Sequence, residues 1–304
     1  MTARTFVQES APPLMDPADE DLSLMLTIRA FELKLLELFE RGMLNGTTHT
    51  CLGQEYIPVA MEGLLAPGDH VFSNHRGHGH YLARYRDPEG LLAEIMGREG
   101  AVCGGVGGSQ HIRRERYVST GVQGESLPVA CGVALHLKRV EPGSLACVYV
   151  GDGTFGEGAV YEALNLASLW GLPLLVVVEN NGIAQSTPTG RHLAGGIAGR
   201  AAAFGVEYRF TDSVDVAGIR RLLAPAVEAV RGGVPLVVEF ATQRLGPHSK
   251  GDDTRSAEQV ERLRAAGWYA GCVARDPERV GRLEGSARAL VEAVAVDVAG
   301  RGLS

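Results

Sequence analysis

A strand, a helix and a second strand follow one another within residues 145–178, and this order constrains the fold more than any other part of the chain. Residues 145–150 and 172–178 are largely apolar and β-branched, and residues 156–170 between them have a helical pattern. A unit of roughly 35 residues of this kind joins two parallel strands, because a parallel pair needs a long crossover connection. Apolar strands that alternate with helices are typical of a sheet covered on both sides. The sequence therefore predicts an α/β fold, with a parallel β-sheet flanked by helices on both faces.

The rest of the chain extends this pattern. Periodic apolar positions predict helices and short apolar runs predict strands. The predicted helices cover residues 20–41, 54–65, 128–139, 216–231 and 286–300, and the further strands cover residues 206–210 and 236–240. Residues 73–80 and 103–124 are rich in glycine, and we predict irregular loops there. Residues 1–18 are predicted to form a flexible N-terminal arm, and residues 19–304 a single domain.

Polar side chains stand where the two strands of the central unit end. Gly151-Asp152-Gly153 closes the first strand, and Asn180-Asn181 closes the second after 26 intervening residues. Ligands of a parallel sheet bind at the carboxyl ends of its strands, so the two motifs are expected to meet at one crevice. A carboxylate and an amide oxygen suit Mg²⁺ or Ca²⁺, and the amides that open the next helix can donate to an anion. The residues alone therefore predict a diphosphate held by protein-bound Mg²⁺.

Each motif also has a structural interpretation. Gly-Asp-Gly is common in turns, and Asn-Asn is a common cap at the end of a strand. Their joint position at the two ends of one strand–helix–strand unit is more specific than either motif alone. This arrangement resembles the thiamine-diphosphate-binding motif of transketolases, decarboxylases and 2-oxo acid dehydrogenases. The resemblance implies that Asp152, Asn181 and the backbone carbonyl of Ile183 are the metal ligands, and that Thr154 contacts the diphosphate.

Further segments resemble the alpha subunits of the 2-oxo acid dehydrogenases of the pyruvate, branched-chain and acetoin group. The similar segments, which lie within residues 33–255, are HTCLGQE at 49–55, HRGHG at 75–79, GGSQH at 107–111, the glycine-rich stretch 121–132 and the loop 244–253 with Arg244, His248, Ser249, Asp252 and Asp253. The resemblance implies that Arg76 approaches the diphosphate and that His78 faces the reacting centre. His75 stands where the family often has tyrosine.

Two sets of site residues follow from this resemblance. The implied catalytic residues are His78, His248 and Arg244. The implied cofactor-binding residues are His75, Arg76, Gly121, Gln123, Gly151, Gly153, Thr154, Asn181, Ile183 and His248. Departures from the family pattern at Gln123, Glu125, Ser126 and Pro247 lie near the expected substrate and leave its identity open.

The resemblance also implies an activity and partners. Its members use thiamine diphosphate and Mg²⁺ to decarboxylate a small, pyruvate-like 2-oxo acid and to pass the acyl group to a lipoyl-bearing protein. The chain shows no pyrimidine-binding half, so a beta subunit is expected to complete an α₂β₂ assembly. Two alternatives stay open. One is a split transketolase-like subunit that moves a two-carbon ketol unit to a carrier protein, and the other is a non-catalytic paralogue that acts as a scaffold.

Composition argues against other classes of function. The formal net charge of -7 disfavours general nucleic-acid binding, which needs a basic surface. The chain has no apolar run of the roughly 20 residues that a membrane span needs. Its N-terminal segment lacks the pattern of a signal peptide, so a cytoplasmic location is expected. His75, His78 and His80 have a spacing that could ligate zinc, but no cysteine or carboxylate nearby completes that set.

Overall fold

A seven-stranded sheet forms the centre of the computed structural model, which describes residues 15–44, 46–249 and 253–304. The strands are β1 (His70–Ser73), β2 (Arg113–Arg114), β3 (Tyr117–Ser119), β4 (Ala146–Gly151), β5 (Leu174–Asn180), β6 (Ile183–Ala184), β7 (Thr187–Pro188), β8 (Glu207–Thr211) and β9 (Leu236–Ala241). The helices are α1 (Asp19–Glu40), α2 (Tyr56–Glu62), α3 (His78–Tyr85), α4 (Pro88–Met96), α5 (Ser126–Val140), α6 (Gly158–Trp170), α7 (Ile197–Ala203), α8 (Val216–Arg231), α9 (Ala257–Ala265), α10 (Trp268–Arg275) and α11 (Pro277–Ala299).

The sheet order is β2-β3-β1-β4-β5-β9-β8, and β6 and β7 form a separate hairpin. All neighbouring strands of the large sheet are parallel except the short edge pair β2 and β3. The central unit matches its prediction, since α6 connects β4 to β5 and Gly151 lies opposite Glu179 in the register. The predicted α/β class is therefore confirmed, with one antiparallel edge that the sequence did not indicate.

Two apolar layers cover the two faces of the sheet. Side chains alternate along β4, so Cys147 and Tyr149 enter one layer and Val148 and Val150 enter the other. The first layer contains side chains of α1, α2, α3, α4, α8, α10 and α11, and the second contains side chains of α5, α6 and α7. The predicted placement of helices on both faces is thus confirmed.

The prediction of an irregular segment at residues 73–80 is wrong at both ends. Ser73 closes β1, and His78 opens α3. Gly79 serves a close contact and not a turn, because a Cβ atom there would lie 3.0 Å from the sulfur of Cys51 and 3.3 Å from Pro58 Cγ. Gly79 therefore allows α3 to pack closely against its neighbours. From the sequence alone, a glycine needed for close packing looks the same as a glycine needed for a loop.

The segment after β9 also contains more regular structure than predicted. The helices α9 and α10 were not predicted, and α11 begins at Pro277, well before the predicted start at residue 286. Local capping signals explain these starts. Ser256 and Gln259 form a capping box, and the side chain of Asp276 accepts a hydrogen bond from the amide of Arg279 behind a proline at the first helical position. In the predicted loop at residues 103–124, β2 and β3 were likewise missed.

The described end of the predicted N-terminal arm contacts the last helix. Met15 is buried, and Arg279 donates hydrogen bonds to the carboxylate of Asp16 and to the carbonyl of Pro17. Residues 1–14 of that arm lie outside the described residues. The division into an arm and a single domain remains a prediction.

The fully buried Glu94 organises the glycine-rich segment that follows α4. Its carboxylate accepts hydrogen bonds from the backbone amides of Cys103, Gly105, Gly107 and Gly108 at 2.6–3.3 Å. A single side chain of α4 thus fixes the path of the backbone that leads to Ser109.

We expect Glu94→Ala to lower the free energy of unfolding by about 3 kcal/mol or more, because hydrogen bonds to a charged acceptor contribute about 1.5–3 kcal/mol each. Urea unfolding followed by circular dichroism measures this difference. The exposed Glu99 provides the control, and Glu99→Ala should change stability by less than about 0.5 kcal/mol. Equal stabilities of the two variants would show that Glu94 does not organise the segment.

Candidate active site

The loops that follow β4 and β5 meet at the carboxyl edge of the sheet. Asp152 follows Gly151 at the end of β4, and Asn181 follows the last residue of β5. A Cβ atom on Gly153 would lie only 2.7 Å from Cβ of Ala184, so the two loops touch and glycine is required at that contact. The hydroxyl of Thr189, just after the β6–β7 hairpin, donates to the carboxylate of Asp152. The two motifs therefore lie together, as their positions at the strand ends predict.

Asp152 is buried, and its burial has an electrostatic cost. Removal from water raises the pKa of the Asp152 carboxyl, and the hydrogen bond from Thr189 and nearby backbone amides only partly oppose this increase. A bound cation would stabilise the ionised form. The side-chain oxygen of Asn181 accepts a long hydrogen bond of 3.3 Å from the amide of Ile183. This set of hard oxygen donors fits Mg²⁺, although the ligand roles remain predictions.

Beside the metal motif, Gln123 connects three of the predicted cofactor-binding residues. Its amide oxygen accepts from the hydroxyl of Thr154 at 3.2 Å, and its amide nitrogen lies 2.7 Å from Nδ1 of His75 and 3.2 Å from the carbonyl of Gly121. The loop at residues 121–124 therefore lies against the Gly-Asp-Gly loop.

The helix predicted to start at residue 156 begins slightly later in the structure, at Gly158, because a 3₁₀ turn at Asp152–Gly156 precedes α6.

Three histidines from separate segments form a cluster next to this loop. The ring centroids of His49 and His75 lie 4.7 Å apart, those of His49 and His248 lie 4.7 Å apart, and those of His75 and His248 lie 5.3 Å apart. His75 and His248 were predicted site residues, whereas His49 was not assigned a role. Its place at the start of the HTCLGQE motif was the signal that could have identified it.

The pKa of His75 lies well below its ordinary value. Burial is the main cause, and the positive charges of Arg76 and Arg244 and the imidazoles of His49 and His248 act in the same direction. The His75 side chain is therefore neutral at pH 7, when it can act as a hydrogen-bond partner or ligand and not as a fixed cation.

The two predicted arginines are held by backbone carbonyls. Nη1 of Arg76 donates to the carbonyl of Thr50 at 2.5 Å, and burial lowers the pKa of Arg76. Nε of the buried Arg244 donates to the carbonyl of Gly246 and its Nη2 donates to the carbonyl of Gln185, both at 3.1 Å. Arg244 thus ties the loop after β9 to the hairpin beside Asp152, which supports a positioning role.

Arg255 also stabilises the loop after β9. It donates to the carbonyls of Arg244 and Gly246 at 2.6 and 2.8 Å, and it pairs with the carboxylate of Asp253 at 2.6 Å. Sequence reasoning assigned no role to Arg255. The predicted loop residue Asp252 lies outside the described residues.

His78 does not join the histidine cluster. It is fully buried, with Nδ1 3.1 Å from both carboxylate oxygens of Glu32 and Nε2 2.8 Å from the hydroxyl of Ser109. Although burial raises the pKa of Glu32, the charge and hydrogen bond of His78 reverse this effect and lower it overall. Sequence reasoning missed Glu32, which lies in the middle of α1 among apolar positions.

The fold and the two strand-end loops define an α/β subunit of the thiamine-diphosphate-binding class. A sequence model of the family described as "Dehydrogenase E1 component" matches residues 23–267. The chain belongs to this family. The predicted identity, an alpha subunit of a thiamine-diphosphate-dependent 2-oxo acid dehydrogenase, is thereby confirmed, and thiamine diphosphate is the cofactor that the family implies.

Individual relatives are named for two substrates. The chain is similar to the alpha subunit of acetoin:2,6-dichlorophenolindophenol oxidoreductase of Bacillus subtilis, with 37% identity over 79% of this chain and 73% of the relative. It is 36% identical to the alpha subunit of the pyruvate dehydrogenase E1 component of Zymomonas mobilis, over 79% of this chain and 70% of the relative. The corresponding acetoin subunit of Cupriavidus necator is 35% identical over 87% of this chain and 82% of the relative.

None of the helices in the described part of the chain combines the length and the apolar character needed to cross a membrane. The cytoplasmic location remains a prediction.

Proposed function

We propose that this chain binds Mg²⁺ and the diphosphate of the cofactor, and that it works with a separate beta subunit in an α₂β₂ assembly. The assembly would decarboxylate a small 2-oxo acid and transfer the acyl group to a lipoyl group on a partner protein. The meeting of the Gly-Asp-Gly loop with the loop after β5 carries this proposal, because it unites an acidic and an amide ligand at the carboxyl edge of the sheet.

Three protein oxygens would hold the metal ion. They are the carboxylate of Asp152, the side-chain oxygen of Asn181 and the backbone carbonyl of Ile183. Thr154, His75 and Arg76 would contact the diphosphate, and Gly151 and Gly153 would leave room for it. When bound, thiamine diphosphate supplies a carbon nucleophile and an electron sink.

The protein residues would supply binding and proton handling. His248 is half-buried beside His75 and lies on the loop that Arg244 and Arg255 fix. Its imidazole would donate a proton or a hydrogen bond during acyl transfer, which is a task that histidine commonly performs in enzymes. His78 is fully buried, and its Nε2 contacts the hydroxyl of Ser109. It would therefore influence the reacting centre through Ser109, and it would reach that centre directly only if this contact broke.

The substrate would be a small 2-oxo acid or acetoin, since relatives are named for pyruvate and for acetoin. Both names favour the dehydrogenase type over the split transketolase-like alternative. Gln123, one of the departures from the family pattern, contacts His75 and Thr154 and therefore lies in the proposed cofactor-binding site. Exchange of Gln123 for valine is therefore a direct way to test whether this position influences the choice of substrate.

We expect no decarboxylation by the isolated chain, because no pyrimidine-binding half is recognisable in its sequence. Turnover should appear when the chain is combined with its beta subunit, thiamine diphosphate and Mg²⁺. A dye-reduction assay with pyruvate, branched-chain 2-oxo acids and acetoin would measure it and rank the substrates. Robust turnover by the isolated chain would contradict the assembly, and turnover of none of these substrates by the complete assembly would contradict the proposed reaction.

A further inference from the structure

Glu32, His78 and Ser109 are joined by hydrogen bonds in one series, which runs from the middle of α1 to the glycine-rich segment after α4. Both carboxylate oxygens of Glu32 lie 3.1 Å from Nδ1 of His78, and Nε2 of the same ring lies 2.8 Å from the hydroxyl of Ser109. Glu32 and His78 are fully buried, whereas Ser109 is partly exposed. Of the three side chains, that of Ser109 is therefore the one that a ligand can reach.

The charge of Glu32 determines which ring nitrogen of His78 carries the proton. Burial alone would raise the pKa of Glu32, but the charge and hydrogen bond of His78 and the hydrogen bond from Cys51 lower it overall. Glu32 is therefore ionised at neutral pH, and an ionised carboxylate only accepts hydrogen bonds. A neutral His78 must then carry its proton on Nδ1, which leaves the lone pair of Nε2 to accept from the hydroxyl of Ser109.

Ser109 lies beside the proposed cofactor-binding site. The side chains of the next two residues flank Gly121, since a Cβ atom there would lie 3.3 Å from Cδ of Gln110 and 3.3 Å from Nε2 of His111. The segment that contains Ser109 is therefore packed against the loop at residues 121–124. The serine end of the series faces the part of the molecule where the substrate is proposed to bind.

We propose that Glu32, His78 and Ser109 form a proton relay, in which Ser109 exchanges a proton with the carbonyl oxygen of the bound 2-oxo acid and Glu32 positions His78. This proposal rests on the proposed function and adds two residues to it. The carbonyl oxygen takes up one proton when a nucleophile adds to its carbon, and it releases that proton when an acyl product forms.

The relay transfers the proton without any further reactant. For release, Oγ of Ser109 accepts the proton from the substrate oxygen and passes its own proton to Nε2 of His78. The imidazolium that results is balanced by the carboxylate of Glu32. For uptake, Nε2 returns its proton to Oγ as Ser109 donates to the substrate oxygen, so each direction breaks and forms the same number of bonds.

Glu32→Gln is a sharp test, because it preserves shape and reverses the hydrogen bond to His78. The amide oxygen can still accept from the backbone amide of Cys51, which lies 2.9 Å from Oε1 of Glu32. The amide nitrogen donates to Nδ1 of His78, so the proton of the neutral ring moves to Nε2 and the hydroxyl of Ser109 loses its acceptor. The exposed Glu40 of the same helix provides the matched control as Glu40→Gln.

The first experiment needs neither cofactor nor substrate. In Ser109→Cys, transfer of the thiol proton to His78 produces a thiolate, which is the form that iodoacetamide alkylates. In the full chain near pH 6.5, we expect Glu32→Gln or His78→Asn, added to Ser109→Cys, to slow alkylation of the new thiol by about tenfold or more. Glu40→Gln should leave the rate unchanged. Mass spectrometry of the peptide that contains position 109 distinguishes this thiol from the native cysteines.

The second experiment uses the assembly with the beta subunit. Replacement of the carboxylate behind a catalytic histidine by an amide costs up to about 10⁴-fold in kcat, so we expect Glu32→Gln to lower kcat by at least about 100-fold. Dye reduction and acyl transfer should fall together, while KM and the affinity for thiamine diphosphate change by less than about threefold. The double variant Glu32→Gln, Ser109→Ala should be no slower than the slower single variant, because residues that act as a unit are not additive.

Two outcomes would overturn the relay. One is alkylation that neither Glu32→Gln nor His78→Asn slows, and the other is a double variant whose losses multiply, as expected for independent structural effects. Failure of the proposed function is distinguishable from both. An assembly that turns over none of the substrates would contradict that function, whereas the alkylation rates depend only on the contacts of Glu32, His78 and position 109.

Discussion

Asp152→Asn should weaken Mg²⁺-dependent binding of thiamine diphosphate by at least about 100-fold, while the chain remains folded. The carboxylate is the only formal negative charge among the three proposed protein ligands, and removal of one partner from a buried charge pair costs about 3–5 kcal/mol. Tenfold in affinity corresponds to about 1.4 kcal/mol, so an effect of this size exceeds 100-fold. Isothermal calorimetry on the assembled protein would measure it.

The same variant should not destabilise the metal-free chain. Burial raises the pKa of Asp152 above its ordinary value, so the ionised carboxylate opposes folding at neutral pH. The penalty disappears as the pH falls through the folded-state pKa, because the folded state then binds the proton more tightly than the unfolded state does. We therefore expect Asp152→Asn to melt at the same or a higher temperature near pH 7, without the stabilisation on acidification that this group gives the wild type.

The exposed Asp212 provides the matched control, and Asp212→Asn should retain cofactor binding. Unchanged affinity in Asp152→Asn would refute the metal assignment. A marked fall in its melting temperature would instead assign Asp152 a structural role through its hydrogen bond with Thr189.

His248→Ala should separate binding from chemistry. In the assembled enzyme, acyl transfer to a lipoyl domain should fall by about 100- to 10,000-fold, which is the usual cost of losing a general acid. Decarboxylation with an artificial electron acceptor should fall less, and the affinity for thiamine diphosphate and Mg²⁺ should stay near that of the wild type. His248 is expected to leave the metal shell intact, because that shell is built from residues of the loops after β4 and β5.

Both rates should be measured on one preparation, with His136→Ala as the control. If both rates remain near those of the wild type, His248 has no part in the chemistry. If cofactor binding fails, the loop has a structural role, and His78 with its partner Glu32 becomes the better candidate.

The parts of the fold that depend on local patterns were predictable from the sequence. The apolar strands β4, β5 and β9, the edge strand β8 and the amphipathic helices α1 and α8 lie within two residues of their predicted limits. Some of the missed segments depend on tertiary contacts, whereas α9 and the early start of α11 have local capping signals that the apolar pattern does not contain. Gly79 of α3 packs against Cys51 and Pro58, and β3 pairs with β1 while β2 pairs with β3. The residue pattern of a short polar segment does not indicate which distant residues it will contact.

The candidate site divides in the same way. Asp152 and Asn181 were found because strand ends of a parallel sheet converge by rule. Glu32 and Glu94 were not found, because each is a lone acidic residue on an otherwise buried helix face and its purpose depends on distant loops. The contact of His49 with His75 and His248 does not follow from local patterns, since three separate segments contribute to it, and only the family motif at residues 49–55 could have indicated His49.

The strand order has a consequence for biosynthesis. β9 emerges from the ribosome after β8 but inserts between β5 and β8, so until residue 241 has been synthesised β5 is an open edge and β8 has no neighbour in the sheet. Glu239 on this late strand accepts hydrogen bonds from Asn180 at 2.6 Å and from the hydroxyl of Tyr208 at 2.7 Å. The nascent chain therefore exposes the apolar edge of β5 until β9 is synthesised, and chaperones shield edges of this kind. Glu239 then fixes the end of β5 next to Asn181, at the edge where the site forms.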